Sequence, residues 1–317
     1  MIDVLNLALP YFGLIFIGFI CGKRKGLPES GLAWMNFFLL YISLPALFFR
    51  VLAKTPFEQL NNLPFIVATT LGTSSAFALA LCAARLLGRC SWREASMAAL
   101  AGGYGNIGYM GPGLALSLLG AKAAVPVALI FCFDTVFLFS IVPLLMVVTD
   151  GKSRPLLPTI GRIVKHIVLH PLIAASYCGA LVAALHLQTP VAIDSMLQFL
   201  QSAAAPVALF ALGVTVALRP FAGIPWEVPG VVAVKLLLHP VIVFGFLTMF
   251  GPFPPYWSAT AVLLASLPPA LNVFLIARQY DTWIEQASAA VLLGTFVSVV
   301  TVTSVMLLIR NGAMVFP

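Results

Sequence analysis

The sequence predicts an all-α polytopic membrane protein: ten transmembrane helices, arranged as two inverted five-helix repeats with broken helices at positions four and nine. Three observations carry that expectation. Of 317 residues, 61% are apolar and 9% charged, against roughly 25% charged in a soluble domain. Apolar stretches close to the ~20 residues that a bilayer-spanning helix needs recur from end to end. Related sequence features also return about 161–166 residues apart, an offset of five such stretches. A soluble chain of this length has no core large enough for so much apolar surface. Barrel strands would be short and alternating, whereas these stretches are long and continuous.

The first span, at about 4–22, opens with MIDVLNLALPYFGL. It has neither a basic n-region nor a small-residue cleavage site, so it reads as a retained helix rather than a signal peptide. The others fall at about 32–52, 62–87, 94–120, 123–148, 162–185, 191–218, 228–250, 257–280 and 284–309. The separators are short, such as GKRKGLPES at 22–30 and TDGKSRPLLP at 149–158; none has room for a soluble domain. The expected organisation is a first repeat at 1–148, a cytoplasmic connecting loop at 149–161, and a second, inverted repeat at 162–317.

Orientation follows from the positive-inside rule. Lys23, Arg24, Lys25, Arg85, Arg89, Arg93, Lys152, Arg154, Arg162, Lys165, Arg219 and Arg278 fall on one side of this scheme. Arg50, Lys54, Lys122 and Arg310 fall on the other, and Lys235 lies within a span. The basic loops are therefore expected in the cytoplasm and both termini outside. The net charge of +7 is explained by this topology, and no basic stripe interleaved with aromatics points to nucleic acid.

The repeat is visible in particular residues. Pro45 in LPALFF aligns with Pro206 in APVALF, Pro64 with Pro229, SWREASMAAL (91–100) with PYWSATAVLL (255–264), and Ala124-Val125 with Ala290-Val291. An odd number of spans per copy makes the second copy enter the membrane from the opposite side, as in secondary transporters.

The most irregular spans hold equivalent places in the two copies. Span four contains GGYGNIGYMGPG (102–113), with Asn106, Ile107, Gly108, Tyr109 and Pro112; span nine contains SLPPALN (266–272), with Pro268, Pro269 and Asn272. Proline removes a backbone donor and crowds the preceding turn, and glycine eases departure from helical geometry. From residue 94 to Asn106 is roughly 18 Å at about 1.5 Å per residue, halfway through a ~30 Å core. Freed backbone groups at that depth must face protein or a water-filled cavity. Half-helix N-termini there suit an anion such as a carboxylate. Packing kinks are the plainer reading of either break alone; two at matching positions, each with an asparagine, favour a binding site.

Ionisable residues inside spans are functional candidates. Asp134, eleven residues into span five, is a candidate to hold a coupling H+ or Na+ or a polar part of the substrate, or else a carboxylate satisfied by a neighbouring helix. Lys235 is either its counter-charge or a residue that snorkels to the interface. Arg50 and Arg278, near span ends, are expected to snorkel, and His170 and His239, each before a proline, to be structural. Tyr109 is a ligand contact or a packing aromatic. The five cysteines are widely spaced, without a CxxC pair or zinc spacing, and read as packing residues. HExxH, GxSxG and paired intramembrane aspartates are absent from the sequence, as is an ATP-binding motif, so neither an enzyme, a metal site nor a cofactor is expected. A channel or sensor remains the alternative of a different class.

The run LPPALNVFLIARQYDTWIEQASAAVLLGTF (267–296), with GNIGYMGPGLAL (105–116) and LPALFF (44–49), resembles the auxin efflux carrier (PIN-like) family over the whole chain. The resemblance implies a fold like that of sodium/bile-acid symporters and sodium/proton antiporters, with helices four and nine crossing. It also implies a scaffold of helices one, two, six and seven and a transport domain of helices three, four, five, eight, nine and ten. The asparagine beside the family's first crossover matches Asn106, and its second crossover proline matches Pro268. A homodimer in a bacterial inner (cytoplasmic) membrane, moving small organic anions such as malonate, is the expectation that follows; a bile-acid-like amphipathic solute is the alternative. Many plant members carry a long hydrophilic central loop where this chain has only 149–165, so neither auxin specificity nor kinase control carries over.

Overall fold

The computed structural model describes residues 2–25, 29–56, 60, 62–149, 160–161, 164–165, 168–218, 223–312 and 314. Lys152, Arg154, Arg162, Arg219, the side chain of Lys25 and most of the connecting loop expected at 149–161 lie outside the described residues. Among those described, the regular structure is helical, with one isolated bridge between extended segments. Among the described residues, six helices are long and apolar enough to cross a membrane: Gly31–Ala53, Leu63–Leu86, Ala121–Thr149, Val191–Leu218, Val228–Phe250 and Ile284–Arg310. The chain is a polytopic helical membrane protein.

In chain order, α1 is Ile2–Lys25. Then α2 (Glu29–Phe38) runs through a π-helical turn, Leu39–Ser43, into α3 (Leu44–Ala53). Next come α4 (Leu63–Leu86), α5 (Trp92–Gly103), α6 (Met110–Leu119) and α7 (Ala124–Thr149). They are followed by α8 (Pro171–Ala184) and α9 (Val191–Leu218). A short α10 (Val228–Ala233) passes through a second π turn, Val234–Leu238, into α11 (His239–Phe250). The last are α12 (Pro255–Ala265), α13 (Leu271–Gln279) and α14 (Ile284–Arg310).

Both π turns have one local cause. Pro45 and Pro240 each stand two residues beyond such a turn. A proline cannot donate to the carbonyl four residues back, and its ring crowds that carbonyl. Widening the turn relieves the clash: the Leu44 N–H bonds the Leu39 carbonyl and the His239 N–H bonds the Val234 carbonyl, five residues back. Proline also interrupts the sixth apolar stretch. Expected as one span from 162, it is helical at 164–165 and 168 and then restarts as α8 at Pro171, because His170, held extended ahead of a proline, sits at the N-cap with ψ 125°.

The chain divides into two compact units. The first comprises residues 1–63, 108–132 and 169–220; the second comprises 64–107, 133–168 and 221–317. In the first unit α1 and α9 meet backbone to backbone. A Cβ on Gly18 would stand 2.2 Å from the Phe210 carbonyl oxygen, and one on Gly213 would stand 1.9 Å from that of Ile15. Small residues bring membrane helices together in this way, so that van der Waals packing and weak polar contacts hold them where a hydrophobic drive is missing. Polar contacts join α3 and the turn before it to α9: Ser43 Oγ donates to the Leu200 carbonyl (2.6 Å), and Arg50 grips both Asp194 oxygens at 2.8 and 3.2 Å. Lys54 reaches the same carboxylate at 2.8 Å. The sequence assigned Arg50 to snorkelling near a span end; the structure adds an acid on a different helix that holds it. Arg278, in the second unit, is exposed and lies over the Phe274 ring.

The second unit reverses the pattern of a soluble domain. Val241, Met249, Phe296 and Val300 are exposed, while Thr69, Thr73, Asp134, Lys235, His239, Ser258 and Ser266 are buried. Here too glycine permits close approach: a Cβ on Gly72 would lie 2.5 Å from Val243, and one on Gly102 would lie 2.4 Å from the Ala80 methyl.

Candidate functional site

Two interruptions organise the interior of the second unit. A capping box starts α5 sharply: Ser91 Oγ accepts from the Glu94 N–H and the Glu94 carboxylate accepts from the Ser91 N–H. The helix ends at Gly103, where Tyr104 turns extended at ψ 100°. In the other segment α12 stops at Ala265, and Ala270 is extended ahead of α13. The two unwound stretches run antiparallel and pair at Gly105 and Pro269. Flanking that pair, the Asn106 N–H donates to the Pro268 carbonyl at 2.8 Å and the Ala270 N–H donates to the Tyr104 carbonyl at 3.0 Å. Pro269 sits where the pairing asks for no donor, so a residue normally hostile to a ladder is tolerated here.

Side chains complete the crossing. Asn106 is 2% exposed, and its Oδ1 has no partner. Asn272 donates to the Tyr104 hydroxyl at 3.3 Å. Ile107, Pro268 and Pro269 are buried against these groups, and α14 presses on the prolines from one side, where a Cβ on Gly294 would lie 2.5 Å from Pro269 Cδ. No side chain caps the N-terminus of α13, so its positive end carries uncompensated donors. The arrangement places an open helix N-terminus, an orphan amide oxygen and a tyrosine-bound amide within one buried crossing.

A chain of polar side chains adjoins it. Lys235, 0% exposed on the second π turn, donates to the Ala265 carbonyl at the end of α12. That puts a cation at the negative end of a helix, and Lys235 does not snorkel. A Cβ on Gly105 would lie 3.1 Å from Lys235 Nζ, so glycine at the crossing leaves room for the ammonium group. Nζ also lies 2.9 Å from His239 Nδ1, whose Nε2 is 3.3 Å from Thr73 Oγ1. Thr73 in turn donates to Asp134 Oδ2 at 2.8 Å, while Asp134 Oδ1, in a residue 4% exposed, has no partner. Lys235 is thus joined to Asp134 through two intermediaries.

The second unit gathers Asn106, Ile107, Pro268, Pro269, Asn272, Asp134 and Lys235. Gly108, Tyr109, Pro112 and Pro45 belong to the first unit. There a Cβ on Gly108 would meet the Phe131 ring at 3.1 Å, and Tyr109 is the N-cap of α6. Pro112 lines a small apolar recess with Leu47, Phe48 and Leu116, and Pro45 stands in the first turn of α3. Sequence reasoning missed Tyr104 and Thr73 and gave His239 only a packing role. The spacing of Lys235 and His239, four apart on one helical face, was a signal for the last; Thr73, in a run of hydroxyls, carries none.

The chain matches the family described as "Membrane transport protein" over residues 3–306. It is 45% identical over 315 residues to a protein of Rhizobium meliloti (strain 1021) named "Putative malonate transporter", covering 99% of this chain and 98% of the relative. It is also 24% identical over 292 residues to an "Uncharacterized transporter" of Methanothermobacter thermautotrophicus, covering 91% and 92% of the two chains.

Proposed function

The chain belongs to the membrane transport protein family and is a transporter rather than an enzyme; we propose that it carries small organic anions, malonate-like carboxylates, across the cytoplasmic membrane of a bacterium. The observation that carries this reading is the buried antiparallel crossing at Gly105 and Pro269, with the uncapped start of α13 and the side-chain amide N–H groups of Asn272 and Asn106 beside it. Backbone N–H groups at a helix N-terminus and asparagine amides are suited to hold a carboxylate where water is scarce. The name of the 45%-identical relative supports malonate as the first compound to try.

The reading includes ten membrane-spanning segments as two inverted five-helix repeats. Supporting it is the order of elements: α4, α5, break, α6, α7 in one half, and α10–α11, α12, break, α13, α14 in the other. Transport is of the elevator type, helices three, four, five, eight, nine and ten moving against helices one, two, six and seven, in a homodimer with both termini outside. Carboxylate import into a negative-inside cell works against about 2.3 kcal/mol per charge per 100 mV, so uptake draws on an H+ or Na+ gradient, with Asp134 as the coupling acid and Lys235 its partner charge. Counterflow with a panel of radiolabelled mono- and dicarboxylates in proteoliposomes tests the reading. Exchange of malonate or a near relative is the expected result; exchange of none of the panel overturns it.

A further inference from the structure

The chain of side chains between Asp134 and Lys235 has a direction. An ammonium at Lys235 donates to His239 Nδ1, which requires the imidazole proton on Nε2; that proton points at Thr73 Oγ1, and the Thr73 hydroxyl donates to Asp134 Oδ2. His239 and Thr73 each donate once towards the acid and accept once from the base. The same atoms allow the reverse order. If one proton moves along each link, Lys235 becomes an amine, His239 carries its proton on Nδ1, and Asp134 becomes a neutral acid with its proton on Oδ2. No proton is gained or lost, and each heavy atom keeps its partner.

We propose that Asp134, Thr73, His239 and Lys235 form a proton wire, with His239 as the relay that ties proton loading at Asp134 to the charge held at the crossing. This rests on the transport reading above and narrows its coupling ion to H+. The entry point is Asp134 Oδ1, the buried oxygen without a partner. A proton from water on the acidic side forms an O–H bond there, and the cluster passes from neutral to a single positive charge, shared along the wire. That charge reaches the crossing through Lys235, which contacts the Ala265 carbonyl and abuts Gly105. An uncompensated charge in a buried site is strongly disfavoured, so the loaded proton and one negative charge of a carboxylate enter together. On release the O–H bond breaks and the proton returns to water on the other side.

The surroundings favour this assignment. Among the described residues, the charges that act on the cluster are its own: Lys235 on Asp134, Asp134 on Lys235, and Lys235 on His239. Thr73 comes from α4 and Asp134 from α7, while Lys235 and His239 come from the second π turn and the start of α11. From α12 come the Leu264 and Ala265 carbonyls, and from the crossing comes Gly105. The π turn itself keeps Lys235 and His239, four residues apart, on one side of the helix.

Two measurements on the full-length protein decide the matter. In proteoliposomes with radiolabelled malonate as the probe, His239→Gln and Thr73→Val are expected to keep malonate counterflow within about twofold of wild type. Both are expected to lose at least tenfold of the uptake driven by an inward proton gradient, and Thr73→Ser to restore it. Gradient-driven uptake that survives in both variants overturns the wire, as does a parallel fall of exchange and uptake in folded protein, which marks a structural role. The second measurement needs no substrate. pH-difference infrared spectra of the purified protein are expected to show a protonated carboxyl band that Asp134→Asn removes and that His239→Gln and Thr73→Val shift. A band unmoved by the latter two overturns the wire. Wild-type protein that exchanges no carboxylate, with a carboxyl band that His239→Gln and Thr73→Val still shift, sinks the transport reading and leaves the wire standing.

Discussion

Replacing Asn106 with alanine separates a binding role from a folding role unusually well. The Asn106 N–H holds the Pro268 carbonyl at 2.8 Å, and alanine keeps that bond. Its Oδ1 has no partner in the folded chain, so truncation breaks no bond to that atom and removes a desolvated acceptor, which by itself is unfavourable by about 1–3 kcal/mol. The void left by the three lost side-chain heavy atoms acts in the opposite direction, at about 1–3 kcal/mol. The two effects nearly cancel, and thermal unfolding of purified Asn106→Ala should fall within a few degrees of wild type. Binding should behave otherwise. Loss of one hydrogen bond to a charged ligand is worth about 1.5–3 kcal/mol, roughly ten- to a hundredfold in Kd. Equilibrium binding of radiolabelled malonate, with unfolding recorded on the same preparation, checks both halves. An unchanged Kd in folded protein refutes the placement of substrate at the crossing. A large drop in unfolding temperature refutes the argument that the amide is idle in the empty protein.

Asn272→Ala should weaken malonate binding less than Asn106→Ala, because its amide is already engaged with the Tyr104 hydroxyl; the two dissociation constants measured side by side decide this. Gly294→Ala puts a methyl 2.5 Å from Pro269 Cδ and should cost about 1–3 kcal/mol by overpacking, read as a lower unfolding temperature together with slower counterflow. Gly213→Ala collides with the Ile15 carbonyl, a backbone atom that cannot rotate away; destabilisation of the same order should appear with detergent-solubilised protein. Single cysteines near Ala313 should label from outside and near Ser153 only after permeabilisation, both positions lying outside the described residues; the opposite pattern inverts the proposed topology.

Hydropathy made the helices legible, because a lipid environment imposes length and apolar character on each span. The starts of α9, α10 and α14 at residues 191, 228 and 284 coincide with the sequence reading, each standing just beyond a polar or proline-marked separator. The interruptions at 104–109 and 266–270 were legible as well, since glycine and proline act on their own backbone. Their partnership was not. Nothing local to Tyr104 announces a bond to Ala270, more than a hundred residues away, and nothing local to Thr73 announces Asp134, 61 residues on. The partner of Arg50 was illegible for a related reason: nothing near a span end names an acid such as Asp194 on α9, 144 residues away. Local chemistry shows in sequence; pairing across distant elements needs the fold.

The crossing also has a one-way lock. Sliding one strand so that Gly105 faced Pro268 would require the residue at 269 to donate to the Tyr104 carbonyl, and a slide of two would ask the same of residue 268. Both are prolines and have no N–H to offer. Displacement in that direction would strand a carbonyl in a dry interior, so the alignment cannot creep by stages and Tyr104 and Asn106 keep fixed neighbours through repeated cycles. A mutation to alanine at either proline would keep the backbone hydrogen bonds of the resting crossing while licensing the slip, and its distinguishing symptom would be heterogeneity of alignment.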